Sequence, residues 1–276
     1  MQNSPEALEA KSQEIRELVL ETCIKAGTGH VTSSFSCIEI LVALYYGGAL
    51  RTEPGNPDWE ARDRFVLSKG QASPALYAVL GDLGFFDVRE LDKFAQKDGI
   101  FGVHLQKNVP GVEITAGSLG QGYGVAAGLA LGARMNGQDH MVYALLGDGE
   151  LYEGSIWETS MFAAHHGLDN LVTIIDRNNL CVTDFTEKLI RLEPLEDKWS
   201  SFGFEAVRID GHDIGAILDT IGGVRARASG KPLAVIADTV KGKGVKSMIN
   251  SPLWHGAAPK GEQAEIARAE LKETRQ

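Results

Sequence analysis

At 276 residues with 43% hydrophobic side chains, the chain can bury a sizeable core, and one α/β domain over residues 1–276 is expected. Its formal net charge of −10, with no basic stripe or interleaved aromatic run, argues against nucleic acid as a partner. Cys23, Cys37 and Cys181 lack CxxC spacing, which sets aside a zinc site or a disulfide framework. No apolar run approaches a membrane span or a signal-peptide core, so a soluble cytoplasmic protein is the expectation.

In chain order, Ser4-Pro5 is a start signal for a helix over 6–26, with Ile15, Leu18, Val19, Cys23 and Ala26 spaced along one face. A Gly/Ser/Thr-rich stretch, Gly27 to Ser36, precedes an apolar helix through Tyr46, and 51–63 is a polar loop. A short strand, Phe65-Val66-Leu67, leads to a helix over 73–83, and a third helix is expected over 88–96. Residues 98–117 are irregular, then 121–135 is a small-residue helix opened by glycines. The runs 143–146 and 171–175 are two buried parallel strands joined by a helix over 154–166. Strands 204–209 and 233–237 flank a helix over 214–228, with Asp213 as its cap and His212 shaping its entry. A Lys/Gly loop (241–244), a longer loop to Gly261 and a charged terminal helix complete the chain. Strand and helix alternate, which predicts an α/β fold: a parallel sheet with helices on both faces.

Two turns stand at the ends of neighbouring strands. Gly147-Asp148-Gly149-Glu150 closes one apolar run and Asn178-Asn179 the next. In such a sheet, ligands bind beyond the carboxyl ends of the strands. Asp148 offers an anionic oxygen and Asn178 a neutral carbonyl oxygen, the pair a magnesium ion on a diphosphate takes from protein. Each turn alone fits a purely structural role. Together they predict a metal–diphosphate site.

The stretch 117–124 opens a helix where glycines let backbone amides approach an anion. Residues 122–127 also fit a relaxed dinucleotide fingerprint. The preceding Val112-Glu113-Ile114-Thr115 is a poor buried strand, however, and Asp139 precedes a strand instead of ending one, so a nicotinamide dehydrogenase is set aside.

These turns, with Asp63-Arg64-Phe65-Val66-Leu67-Ser68-Lys69-Gly70, residues 111–122 and Glu150-Leu151-Tyr152-Glu153-Gly154, resemble transketolase, from near Ile15 to near Glu262. The resemblance covers only the amino-terminal third of a full transketolase. It therefore implies the diphosphate-binding subunit of a split enzyme. Thiamine diphosphate and Mg2+ are the implied cofactors, with Asp148, Asn178 and the Leu180 carbonyl holding the metal. Ser118, Leu119, Gly120, Gly147, Gly149 and Glu150 are implied to line the cofactor. His30 and His255, both in predicted loops, are implied to contact substrate, His255 also the diphosphate. Glu153 and Glu158 resemble glutamates near a subunit interface, but equally suit helix-initiating acids.

The resemblance also implies a partner subunit with the pyrimidine-binding domain and its activating glutamate, as a heterotetramer with two of each chain. The implied reaction moves a two-carbon ketol unit from a ketose to an aldehyde. Transfer to a carrier thiol or lipoyl group, or a non-catalytic homologue, are the alternatives.

Three departures bear on the substrate. Val31 and Thr32 follow His30 where the family has proline or small residues. Gln71 replaces a usual histidine, and glutamine hydrogen-bonds but carries no proton at neutral pH. A third family histidine falls near Val103, with His104 one position off, so only a slipped loop brings His104 into the site.

Overall fold

The computed structural model describes residues 3–227 and 229–274. The main sheet contains β1 (Arg64–Leu67), β2 (Val142–Gly147) and β3 (Leu171–Arg177). A two-stranded antiparallel ribbon, β4 (Leu180–Cys181) and β5 (Asp184–Phe185), follows, before β6 (Glu205–Asp210) and β7 (Leu233–Asp238) return to the sheet. All five main strands are parallel, in the order β1-β2-β3-β7-β6. Register sets Gly147 opposite Asp176 and Asp176 opposite Ala237. The carboxyl ends of β2, β3 and β7 therefore open onto one crevice.

The helices are α1 (Pro5–Ala26), α2 (Val31–Phe35), α3 (Ile38–Tyr45), α4 (Ser73–Asp82), α5 (Gln121–Met135), α6 (Gly154–His165), α7 (Thr186–Leu189), α8 (Leu195–Ser201), α9 (Ile214–Ile221) and α10 (Glu262–Glu273). Ser4 caps α1 by accepting from the Ala7 amide, as the Ser-Pro signal predicts. Successive strand residues face opposite sides. Phe65, Tyr143, Leu145, Val172, Ile174 and Val235 pack with α1, α3, α4 and α9. Val66, Val142, Ala144, Leu146, Ile175 and Ile236 pack with α5, α6 and α8. Every residue of β3 is buried, which fits a run over 171–175 that is apolar except for Thr173.

Three expectations need correction. The helix expected over 88–96 is a 3-10 turn, Val88–Lys93, and Ala95 has a positive φ of 55°, which no helix continues through. The helix expected over 214–228 ends at Ile221, because Gly222 and Gly223 favour the chain leaving the helix; a 3-10 turn, Val224–Ala226, follows, and Ala228 lies outside the described residues. The Gly/Ser/Thr stretch contains α2, a single short turn behind His30. The ribbon, α7 and α8 have no signal in the sequence pattern beyond their turn residues.

Candidate active site

The crevice at the carboxyl end of the sheet is lined by Lys69 beyond β1, Gly147 to Glu150 at β2, Asn178 and Leu180 beyond β3, Lys241 beyond β7, and Gln71, Leu119 and His255 from loops. The two turns singled out by the sequence meet here. Asn179 adopts the left-handed conformation, φ 66°, which asparagine tolerates. That turn directs its amide at Asp148, 2.6 Å from Oδ2.

Asp148 is buried, and Oδ2 also accepts from the Arg177 guanidinium at 3.1 Å, while among the described residues Oδ1 accepts only the Gly149 amide at 2.8 Å. Burial and the nearby Asp176 push the Asp148 carboxyl up to about 6, against the pull of Arg177. Asn178 donates from Nδ2 to Asp176 at 3.3 Å, and its Oδ1 accepts the Leu180 amide at 3.1 Å. Asp148 Oδ1 and Asn178 Oδ1 thus each retain a lone pair.

Beneath the turns lies a buried polar network that the motifs did not reveal. Asp176 accepts from Ser36 at 2.6 Å and pairs with Lys69 and Thr239. Lys69 also donates to the Ser33 carbonyl at 2.9 Å. Burial works against the Lys69 charge, but the Asp176 carboxylate outweighs it and holds Lys69 above the ordinary lysine range. Lys241 has no such carboxylate in contact: burial, reinforced by Lys69, lowers it to about 8. The signal that could have found this network is two charged residues, Asp176 and Arg177, ending a strand otherwise wholly apolar or buried.

The glycine-opened helix α5 is positioned by Glu150. This buried carboxylate accepts from Ser68 at 2.5 Å, the Gly120 amide at 2.9 Å and the Gly147 amide at 3.1 Å. Those two amides are therefore engaged within the protein, and the Gly149 amide is engaged by Asp148. Gly120 has φ 80°, and a Cβ there would meet Ser155 Oγ at 2.4 Å, so a side chain is excluded on both counts. Leu119 lines the crevice, whereas Ser118 is exposed. Glu153 and Glu158 are exposed near the start of α6, outside the crevice lining.

At the other end, three histidines converge. The His30 ring lies 5.4 Å from that of His104 and 5.5 Å from that of His255. The loop that places His104 beside His30 is pinned by α4: Ser73 donates to the Val103 carbonyl at 2.7 Å and Tyr77 to the His104 carbonyl at 3.2 Å. His255 Nδ1 lies 3.1 Å from Lys241 Nζ, and His30 Nδ1 is buried without a partner among the described residues. Burial lowers both His30 and His255 to about 4, with neighbouring His104 and Lys241 adding to the first and Lys241 to the second. Both are neutral at pH 7. With an ammonium donating to Nδ1, His255 carries its proton on Nε2. His212 stands apart, bonded to Glu39 and accepting from the Val240 amide, while Asp213 caps α9 as expected.

Among the described residues, no group of three or more His, Cys, Asp or Glu side chains is gathered to hold a metal. One carboxylate oxygen, one amide oxygen and nearby lysines suit a cation that arrives with its own anionic oxygens.

Comparison with known proteins decides the family: residues 8–274 match the domain described as transketolase, thiamine diphosphate binding domain. The chain belongs to the transketolase family. It is 39% identical over 266 residues to a 6-deoxy-6-sulfo-D-fructose transketolase subunit of a Clostridium species, covering 96% of each chain. It is 38% identical to an apulose-4-phosphate transketolase subunit of Phocaeicola vulgatus, covering 97% of this chain and 95% of that one. The crystal structure of a Campylobacter jejuni transketolase superposes with a TM-score of 0.88 at 33% identity, over 96% of this chain and 42% of that one. The chain thus spans about two-fifths of the length of that transketolase, and nearly all of the relatives named as subunits. It is a diphosphate-binding subunit of a transketolase-like transferase.

Proposed function

We propose that this chain binds Mg2+ and thiamine diphosphate and acts, with a second subunit, to transfer a two-carbon ketol unit from a ketose to an aldehyde. The observation that carries the reading is the meeting of Asp148 and Asn178 in one crevice, each with an oxygen lone pair left open. Asp148 Oδ1, Asn178 Oδ1 and the Leu180 carbonyl would hold the metal, with diphosphate oxygens and water completing its shell. Lys241 and Lys69 supply positive charge beside the anion. The chemistry thiamine diphosphate supplies when bound is carbon–carbon cleavage through its thiazolium carbon.

The chain's own residues do the rest. His255 presents an Nε2 proton to a donor or acceptor hydroxyl. Neutral His30 accepts and returns protons during cleavage and transfer, with His104 beside it to hydrogen-bond the substrate. Gln71 offers hydrogen bonds without a proton to lose. Assembly of the full histidine trio favours sugars over a carrier thiol or lipoyl group. Engagement of the buried carboxylates in the crevice speaks against a non-catalytic homologue.

The single domain over 1–276 would contribute this half of the site. The partner subunit would bring the pyrimidine-binding domain and its activating glutamate, two of each chain forming a heterotetramer. Work on small sugars suits a cytoplasmic setting, and no helix of the described residues is long and apolar enough to cross a membrane.

The test is calorimetry of thiamine diphosphate with Mg2+ against the chain mixed with its partner, then assay against sulfonated and phosphorylated sugars like those naming the relatives. Magnesium-dependent binding and ketol transfer are expected. A mixture that binds no thiamine diphosphate in the presence of magnesium defeats the proposal.

A further inference from the structure

Arg177 ends β3 as one of the largest fully buried side chains, only 1% exposed, directly before the metal-turn asparagine. Its guanidinium donates to Asp148 Oδ2 at 3.1 Å, to Thr186 Oγ1 at 2.6 Å, to Glu187 at 3.0 Å and to Glu193 at 3.2 Å. Three of these partners belong to the segment 178–193, which carries Asn178 and Leu180 at its start. Glu187 in turn accepts the Leu192 amide at 3.0 Å, and the Thr186 amide donates to the Asn179 carbonyl at 2.9 Å. One side chain thus ties the Asp148 carboxylate to the far end of the segment that bears the other two proposed ligands.

We infer that Arg177 is a positioning residue that latches segment 178–193 onto Asp148 and limits that carboxylate to one open oxygen. With Arg177 and the Asn179 amide filling Oδ2, only Oδ1 can face a cation, so Asp148 binds through one oxygen. The same fork holds the ribbon β4–β5 and α7 in place before any cation arrives. A guanidinium suits this work because its rigid donors serve several carboxylates at once. The ligand side of the inference rests on the metal reading above; the latch itself does not.

The experiment follows amide hydrogen exchange of the metal-free protein, and Mg2+–thiamine diphosphate affinity of the reconstituted enzyme, in Arg177→Met and Arg177→Lys. In Arg177→Met, amides of residues 180–193 should exchange about tenfold faster or more without metal, while those of β2 hold. Affinity should fall about 10–100-fold, as when a residue orienting a metal ligand is lost. Arg177→Lys restores one bond and should recover part of the affinity but little of the protection; it also stands in should the methionine variant not fold. Unchanged exchange of 180–193 overturns the latch, and unchanged or tighter affinity overturns the positioning role. Wild-type enzyme that binds no cofactor would instead strike the functional reading, leaving the exchange result to judge the latch.

Discussion

At one end of the crevice every carboxylate has fixed partners: Asp176 is held by Lys69, Ser36 and Thr239, Asp148 by Arg177 and two amides, Glu150 by Ser68 and two amides. At the other, the His30 ring neighbours those of His104 and His255, and His30 Nδ1 is without a partner among the described residues. The first end is preorganised on strand termini, where register fixes position. The second is assembled from loops, with His30 and His255 kept neutral by burial. A cation with its diphosphate needs rigid charges of settled sign. Proton exchange with sugar hydroxyls needs groups whose charge is open to change. The two ends should therefore fail differently when altered.

The largest loss is expected at the charged end. Asp176→Asn leaves the buried Lys69 ammonium without its carboxylate and should lower unfolding free energy by about 3–5 kcal/mol, read from the denaturant midpoint. The double change Asp176→Leu with Lys69→Met should recover most of that stability, since a buried pair replaced by apolar side chains is often neutral. It should not recover cofactor binding, because Asn178 loses the acceptor that orients its amide. If the single change left stability intact, the contrast drawn between the two ends would be wrong.

Next in size, Asp148→Asn should preserve the fold yet weaken magnesium-dependent thiamine diphosphate binding by at least about 100-fold in calorimetry, more than loss of a merely orienting residue. At the neutral end, His30→Phe should leave that affinity within about twofold while lowering kcat about 100-fold, the scale of lost general acid–base help. Cofactor binding lost in step with kcat would show that the ends are not separable.

Acid stability gives a smaller signal with a definite sign. Histidines in the unfolded chain take up protons near their ordinary 6.5, whereas folded His30 and His255 resist protonation down to about 4. Between those values the unfolded state binds more protons, so the contribution of these rings is constant above pH 6.5 and is lost as pH falls toward 4. Thermal melts from pH 7 to pH 4.5 should decline more shallowly in His30→Phe than in wild type. An identical decline would mean the His30 ring titrates normally.

How far the sequence led follows the same division. That the Asp148 and Asn178 turns share one crevice was readable because a polar turn ending a buried strand has few positions available to it. The parallel sheet was readable for the same reason, since β2 and β3 are buried on both faces. The network beneath was not, although Lys69 and Asp176 sit in plain view: pairing across β1 and β3 requires the sheet order, which no single segment encodes. The place of His104 beside His30 was left open because the register of its loop depends on Ser73 and Tyr77, side chains on another helix. Glu150 lines the crevice, but the bonds of its carboxylate to the Gly120 and Gly147 amides could not be read, because they appear only once α5 packs beside β2.

The most direct test is a crystal structure of the reconstituted enzyme with thiamine diphosphate and Mn2+ in place of Mg2+, read by anomalous scattering. A single strong peak between Asp148 Oδ1, Asn178 Oδ1 and the Leu180 carbonyl, with diphosphate oxygens on its open side, is the predicted result. A peak elsewhere, or cofactor bound with none between those three oxygens, would contradict the account.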